Sequence, residues 1–362
     1  MTRQRGVVYL KLVASSIGCL MAAITTKPGS PHALAEITRR AKVSKATVLR
    51  VLNGQLKSNY PSVAERHEQI RQLADELNYR PSYVGRTVSR RRTYTIGLLY
   101  PPQTPKIAHR YGETIHSLAV ELAREGYDLA LHAAKEDDQD RTDLFLDRRF
   151  DGYVIHDFVS PTIRKAAERA GLPCVTINAG RHPGMAAVDT DDVAGITELT
   201  RHLLDLGHRR IMLVSIDADI ASRHVSAQQR EQGFAAAMKK AGLTPIIHPS
   251  NTGVVERLRQ PDAPTAVIVH RAIQAAQLLL QIKQGGFRVP DDLSLATFDD
   301  TELTRLSDPP MTVMRVPFEE FGREAARMIV SAIEAGDAFK PARRVLLQEL
   351  IVRESTAAPK RG

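Results

Sequence analysis

The chain has 362 residues, 43% hydrophobic and 25% charged, which is enough for two or three folded units of ordinary soluble composition. Its two cysteines, Cys19 and Cys174, exclude a disulfide framework or a zinc cluster and are compatible with a reducing compartment. The net charge of +9 is unevenly placed: residues 1–92 carry 17 Lys and Arg against 5 Asp and Glu (+12), and the remainder carries 33 against 36 (−3). A basic head on a mildly acidic body is the footprint of a polyanion-binding module joined to a sensor or an enzyme.

In chain order, residues 1–32 read as an extension. Val7–Ile24 is apolar apart from Lys11 and a few small polar residues, and it follows Arg3 and Arg5, a pattern shared by signal peptides and marginal membrane anchors. Lys27-Pro28-Gly29-Ser30-Pro31 is a breaker cluster after which a fold should begin. Apolar residues then recur at helical spacing in three bursts: Leu34, Ile37 and Ala41; Ala46, Val48 and Leu52; Ile70, Leu73 and Leu77. This spacing predicts a three-helix domain over 33–80, ending at Asn78-Tyr79-Arg80-Pro81 and followed by an arginine-rich linker over 81–94.

From Thr95 short apolar strands alternate with amphipathic helices. Strands are expected at Thr95–Tyr100, Asp128–His132, Gly152–His156, Cys174–Asn178, Arg210–Ser215, Ala266–Val269 and Leu293–Phe298. Helices are expected at Ile115–Glu125, Ile163–Ala170, Ala194–Leu206, Gln229–Ala241 and Ile273–Lys283. Such alternation means βαβ units and parallel sheets, here an α/β body over 95–357 of two lobes facing a cleft, with ligand-binding loops at the strand carboxyl ends.

Within the first unit, one helix ends near Ala41, Val43 fills a short turn, and Ser44 stands where an N-cap belongs. The next helix opens Lys45-Ala46-Thr47, and Ala41, Val43 and Val48 are small or branched, as a tight crossing of two short helices requires. A helix-turn-helix and a generic helical hairpin share this spacing; the basic linker favours DNA.

The run Ala41-Lys42-Val43-Ser44-Lys45-Ala46-Thr47-Val48-Leu49-Arg50-Val51-Leu52-Asn53 is similar to the headpiece of the lactose/galactose repressor (LacI/GalR) family, which reads A-G-V-S-x-x-T-V-S-R-V-L-N. The likeness continues through Asn78-Tyr79-Arg80-Pro81, Thr95-Ile96-Gly97-Leu98-Leu99, Leu206-Gly207-His208-Arg209-Arg210-Ile211, Arg288-Val289-Pro290-Asp291-Asp292-Leu293-Ser294, Phe298-Asp299-Asp300 and Val352-Arg353-Glu354-Ser355-Thr356, so it spans residues 33–357. It implies a cytoplasmic homodimer, or a tetramer, that represses transcription under control of a small-molecule effector. The effector would be a sugar, a sugar acid or a related metabolite bound in a periplasmic-binding-protein-like domain.

Carried over by position, Lys45, Ala46 and Arg50 would face base edges, while Ser44, Thr47 and Asn53 would hold phosphates. Residues 82–90 would be a hinge helix that forms on operator DNA, with Arg86 gripping phosphate and Val88 wedged into the minor groove. Several positions depart from the pattern. Lys42 replaces the turn glycine, which implies left-handed strain or another geometry. Leu49 replaces a phosphate-binding serine, Gly85 and Val88 replace an alanine and a leucine, and the loop after Gly54 is about four residues longer. In the body, Arg230 and Asp299 match effector-binding positions, and Tyr111 matches an aromatic that stacks on the ligand. Arg271-Ala272 stands where the family has Asn-Asp, so Arg271 either favours an anionic effector, a sugar acid or sugar phosphate, or points to solvent.

Two other classes compete. An α/β enzyme could use Asp189, Asp191, Asp192, His208 or Asp299–Asp300, but no nucleophile elbow, phosphate loop, metal spacing or cofactor motif accompanies them, and His208 reads as structural. A secreted sugar receptor rests on Val7–Ile24 alone. The DNA-reading module that follows has no use outside the cell, so the extension is read as disordered or as lying upstream of a start at Met21, with no membrane partner.

Overall fold

The computed structural model describes residues 30–56, 60–81, 92–100, 111–133, 142–216 and 224–360. Val7–Ile24 and the hinge positions Gly85, Arg86 and Val88 lie outside them. The chain divides into two units, Met1–Thr93 and Tyr94–Gly362.

The first unit is built from three helices. In α1 (Pro31–Ala41) the Ser30 hydroxyl accepts from the His32 N–H and Pro31 occupies the first turn, where a missing N–H costs nothing. The helix stops at Lys42, whose backbone is left-handed (φ 50°). α2 (Lys45–Leu52) and α3 (Pro61–Glu76) close a core of Leu34, Ile37, Ala41, Val48, Val51, Ile70, Leu73 and Tyr79. The buried pair on α2 is Val48 and Val51; Ala46, expected on the apolar stripe, is exposed, and Leu52 is half-buried.

The second unit holds two six-stranded sheets. The first uses β1 (Thr95–Tyr100), β2 (Asp128–Ala133), β3 (Gly152–His156), β4 (Cys174–Ile177), β5 (Ala186–Thr190) and β11 (Arg343–Leu346), in the order β11-β5-β4-β3-β1-β2 and parallel throughout. The second uses β6 (Ile211–Val214), β7 (Ile246–His248), β8 (Ala266–Val269), β9 (Ser294–Phe298), β10 (Thr312–Arg315) and β12 (Glu349–Ile351), in the order β12-β10-β9-β8-β6-β7. Only β12 runs antiparallel, along β10. The central strands are buried on both faces, as parallel strands covered by crossover helices must be.

Helices α4 (Gly112–Arg124), α5 (Thr142–Leu146) and α6 (Pro161–Ala170) serve the first sheet. α7 (Asp192–Asp205), α8 (Val225–Lys240), α9 (Val254–Leu258), α10 (Ala272–Gln284) and α11 (Glu302–Arg305) serve the second. The chain crosses between lobes three times: from β5 to α7, from β10 to α12 (Phe318–Ala335), and from β11 to β12. α12 carries the second crossing back by packing on α4 and on β3, β4 and β5. Its stripe of Phe318, Phe321, Gly322, Ala325, Ala326, Ile329 and Val330 recurs at helical spacing. Gly322 is required there: a Cβ would sit 2.1 Å from Ser117 Oγ and 2.3 Å from the Thr114 carbonyl. All seven expected strands form, and β5, β7, β10, β11, β12 and α12 add to them.

Candidate nucleic-acid interface and effector site

Capping fixes where α2 begins. The Ser44 Oγ accepts from the Thr47 N–H at 3.1 Å and lies 2.9 Å from the Thr47 hydroxyl. With Val48 and Val51 turned into the core, Lys45, Ala46 and Arg50 are exposed, the first two adjacent and Arg50 about a turn further along the helix. These are the three residues expected at base edges. Ser44 is exposed and Thr47 half-buried, whereas Asn53, expected at a phosphate, is buried at the C-cap. Leu49, the residue in the serine position, packs against the headpiece core.

In the larger unit, polar side chains converge at strand carboxyl ends. Asp157, Asn178 and Asp299 each follow a strand directly, after β3, β4 and β9, and each has a left-handed backbone (φ 62°, 55° and 72°). Such strain in non-glycine residues costs roughly 1–3 kcal/mol and gathers at binding sites. Buried Asp157 is a hub on the first lobe. It accepts from the Tyr111 hydroxyl and, at 2.9 Å, from Asn178 Nδ2. His156 Nδ1 lies 3.1 Å from its Oδ1. From the second lobe, His224, just before α8, brings Nε2 to 3.5 Å of its Oδ2. Tyr111 is buried and meets His156 edge to face at 4.4 Å between ring centroids.

Arg230, on α8, is 5% exposed. Its Nε donates to Asp192 Oδ1 at 2.7 Å and its Nη1 to the His270 carbonyl at 2.7 Å, while the guanidinium carbon stands 3.6 Å from the Phe298 ring centroid. His270 follows β8 and Phe298 ends β9, so Arg230 lies at the carboxyl ends of both. Half-buried Arg271 is the N-cap of α10, and Asp299 is buried beside Phe298. Arg230, Arg271 and Asp299 therefore gather on the second sheet, and Tyr111 stands at the corresponding end of the first.

Sequence reasoning did not single out Asp157, Asn178, His224 or Gln348, whose Nε2 donates to Asp192 Oδ1 at 3.1 Å, and it met Asp192 only as a candidate acid. Position after the predicted strand Gly152–His156 could have found Asp157; Asn178 falls inside its expected strand as the last residue, and nothing local marks the others. Electrostatics near Asp299 are acidic. Burial, with Glu319 next in weight and Asp300 and Asp299 adding, raises the Glu113 carboxyl above the usual range, and Arg305 opposes them. A surface groove of about 760 Å³, lined by Glu113, Leu279, Leu280, Lys283, Thr301 and Leu306 among others, includes none of the four expected effector residues.

The acids and bases an enzyme could have used are otherwise engaged. Asp189 accepts from the Gly180 N–H at 3.0 Å and Arg343 Nε at 2.7 Å, Asp191 caps α7, and Asp300 pairs with Arg353 at 2.8 Å. His208 joins Thr265, Ser294 and the Ala357 carbonyl at 2.9–3.1 Å, and burial holds it below the usual imidazole range. Among the described residues no cluster fit to hold a metal ion occurs, and no helix is long and apolar enough to cross a membrane.

Comparison with known proteins agrees with this division. A profile of bacterial regulatory proteins, lacI family, matches residues 33–82, and one of periplasmic binding protein-like domains matches residues 200–356. The HTH-type transcriptional repressor CytR of Escherichia coli (strain K12) is 28% identical over 340 residues, which are 89% of this chain and 96% of that one. The HTH-type transcriptional regulator CelR of Thermobifida fusca is 29% identical over 336 residues, 87% and 95% of the two chains. Among solved structures, a transcriptional regulator CelR–cellobiose complex aligns with a TM-score of 0.64 at 27% identity, covering 89% of this chain and 99% of that one. The lac repressor dimer bound to operator and the anti-inducer ONPF shares the fold with a TM-score of 0.78 at 22% identity, over 92% and 100%. A capped helix with an exposed basic face and a two-lobed α/β body, each matched in order along one chain, place this protein in the LacI family of DNA-binding transcriptional repressors rather than in any enzyme family.

Proposed function

We propose that the protein is a cytoplasmic homodimer that holds a near-palindromic operator with one α2 helix per half-site, and that releases or grips it according to a sugar or sugar acid in the interlobe cleft. Lys45, Ala46 and Arg50 read base edges; Ser44 and Thr47 fix the register on phosphates, while buried Asn53 closes the helix at its C-cap; Arg86 and Val88 act from the hinge. In the cleft, Arg230, Arg271 and Asp299 face the effector from the second lobe and Tyr111 from the first. The carboxylate accepts two hydroxyl protons and the guanidinium donates in a fork, a pairing suited to polyols. One observation carries the reading: Arg230, Arg271 and Asp299, 69 positions apart in sequence at the extremes, meet at the carboxyl ends of β8 and β9. The cellobiose held by a regulator 27% identical to this chain supports a sugar-sized ligand.

The test is operator binding by the full chain, with the operator first selected from a random duplex pool, against a panel of sugars and sugar acids. The reading expects at least one of them to shift operator affinity about 5- to 150-fold, the usual span of allosteric coupling. Equal binding of every duplex, or indifference to the whole panel, would overturn it.

A further inference from the structure

The ion pair beneath Arg230 lies where the lobes are joined. Asp192 is the first residue of α7, immediately after the first crossing from β5, and it is 1% exposed. Three donors from three stretches of chain converge on its carboxylate: Arg230 Nε (2.7 Å) and Gln348 Nε2 (3.1 Å) on Oδ1, and the Thr190 hydroxyl (3.1 Å) on Oδ2. Gln348 lies in the third crossing, between β11 and β12. The fit is close: a Cβ on Gly195, one turn into α7, would fall 1.8 Å from Gln348 Oε1 and 3.3 Å from Met314 Cγ.

We propose that Asp192 is a positioning and specificity-determining residue: it fixes the Arg230 guanidinium to two of the three interlobe crossings and cancels its charge, so that the cleft accepts an uncharged polyol and refuses its carboxylated counterpart. The inference rests on Arg230 being an effector residue, and it chooses between the sugar and the sugar acid left open above.

The chemistry follows from the donors available. A guanidinium has five N–H donors in a rigid fork and cannot shed its proton. With Nε on a carboxylate and Nη1 on the His270 carbonyl, what it still offers is hydrogen-bond donation, not a net positive charge. Asp299, next to the Phe298 ring over which Arg230 stands, adds a second carboxyl group, against Arg271 as the other arginine of the expected site. An incoming carboxylate would have to compete with Asp192 for Arg230 and be held close to these acids, in surroundings that screen little. A hydroxyl would accept from Arg230 and donate to Asp299 with no such conflict.

The test is chemical rescue. Full-length wild type, Asp192→Asn, Arg230→Met and the double variant are melted in increasing sodium acetate, with ionic strength held constant by sodium perchlorate. Asparagine keeps the shape and removes the charge, which leaves Arg230 open to an external carboxylate. The expected result is saturable stabilisation of Asp192→Asn by acetate, with an apparent affinity roughly 10- to 100-fold above that of wild type, and loss of that gain in the double variant. A purely structural role for Asp192 would give destabilisation without rescue, and that result overturns the proposal. So does a wild type whose acetate response disappears in Arg230→Met, an arm that decides the matter even if Asp192→Asn fails to fold. Parallel melts with cellobiose and cellobionate address the effector. Preference for the acid overturns the proposal, and preference for the neutral sugar that narrows in Asp192→Asn supports it. Indifference to both sugars counts against the sugar reading of the cleft, and the acetate melts then decide the role of Asp192 by themselves.

Discussion

Replacing Arg50 with alanine should cost operator affinity without costing fold. The side chain is exposed, outside the core formed by Leu34, Ile37, Val48, Val51, Ile70 and Leu73, and the Ser44–Thr47 cap that starts α2 lies a turn and a half away. Arginine and alanine are both strong helix formers, so headpiece stability should stay within about 0.5 kcal/mol of wild type. A guanidinium bidentate on a guanine is worth about 1–3 kcal/mol of discrimination, which is roughly 5- to 150-fold in Kd. Fluorescence anisotropy with the selected operator, its single-base variants and random duplex reads this out. Arg50→Ala should weaken the operator by that factor, bind random duplex nearly as wild type does, and erase the penalty of changing one base pair. The slope of affinity against salt should hold. A uniform loss on all duplexes, with the slope reduced by about one, would make Arg50 a phosphate contact and refute its base-reading role.

Three further outcomes follow from the geometry. Lys42→Gly relieves a left-handed residue worth about 1–2 kcal/mol but loosens the unfolded chain by about 0.4–1 kcal/mol. Urea unfolding should show a net gain of about 0.5–1 kcal/mol, and a loss would mean that the lysine side chain stabilises the turn. Gly322→Ala forces a methyl to within 2.3 Å of the Thr114 carbonyl, so α12 and α4 must part by about 1 Å. Overpacking of about 1–3 kcal/mol should exceed the roughly 1 kcal/mol of helix propensity gained, which a lowered melting temperature would register and an unchanged one would contradict. Burial holds His202 and His208 below the ordinary histidine value of 6.5. The unfolded chain therefore takes up these protons first: stability is full above about pH 7 and falls as pH drops through 6.5 towards the lower folded values. His208→Gln should flatten that part of a urea-midpoint profile, and an unaltered slope would exclude His208 as a source of it.

Much of the fold was legible because its signals are local. The cap at Ser44, the breaker at 27–31 and the apolar runs of β1, β3, β4, β6, β8 and β9 each announce an element within a few residues. Three of the five strands that went unseen lack that autonomy. β11 is Arg343-Arg344-Val345-Leu346, an edge strand that pairs only with β5 and leaves most of its side chains exposed. β7 has three residues at the opposite edge of the other sheet, and β12 has three that form only against β10. Pairing makes these segments strands; their composition does not. α12 is different, since Phe318, Phe321, Ala325, Ala326, Ile329 and Val330 carry a plain helical period. The pattern was there to be read.

The candidate site divides along the same line. Residues 44 to 53 were interpretable because a recognition helix works through side chains close together in sequence, and burial separates Lys45, Ala46 and Arg50 from Val48 and Val51 as a helical period requires. In the cleft, Arg230 and Asp299 could be singled out by resemblance, but what each can bind depends on neighbours at distances no motif records: Asp192 is 38 positions before Arg230, and Gln348 is 156 after Asp192. Arg271 considered alone left two readings open, an anionic effector or a side chain turned to solvent. Arg230 shares its charge with a buried carboxylate, and Asp157 and Asp299 stand at the strand ends, which is why we propose a neutral ligand. The charge available to an effector is thus a property of the assembled crossings, and a substitution at Asp192, which no motif marks, should alter what the cleft selects more than one at exposed positions on the same helix.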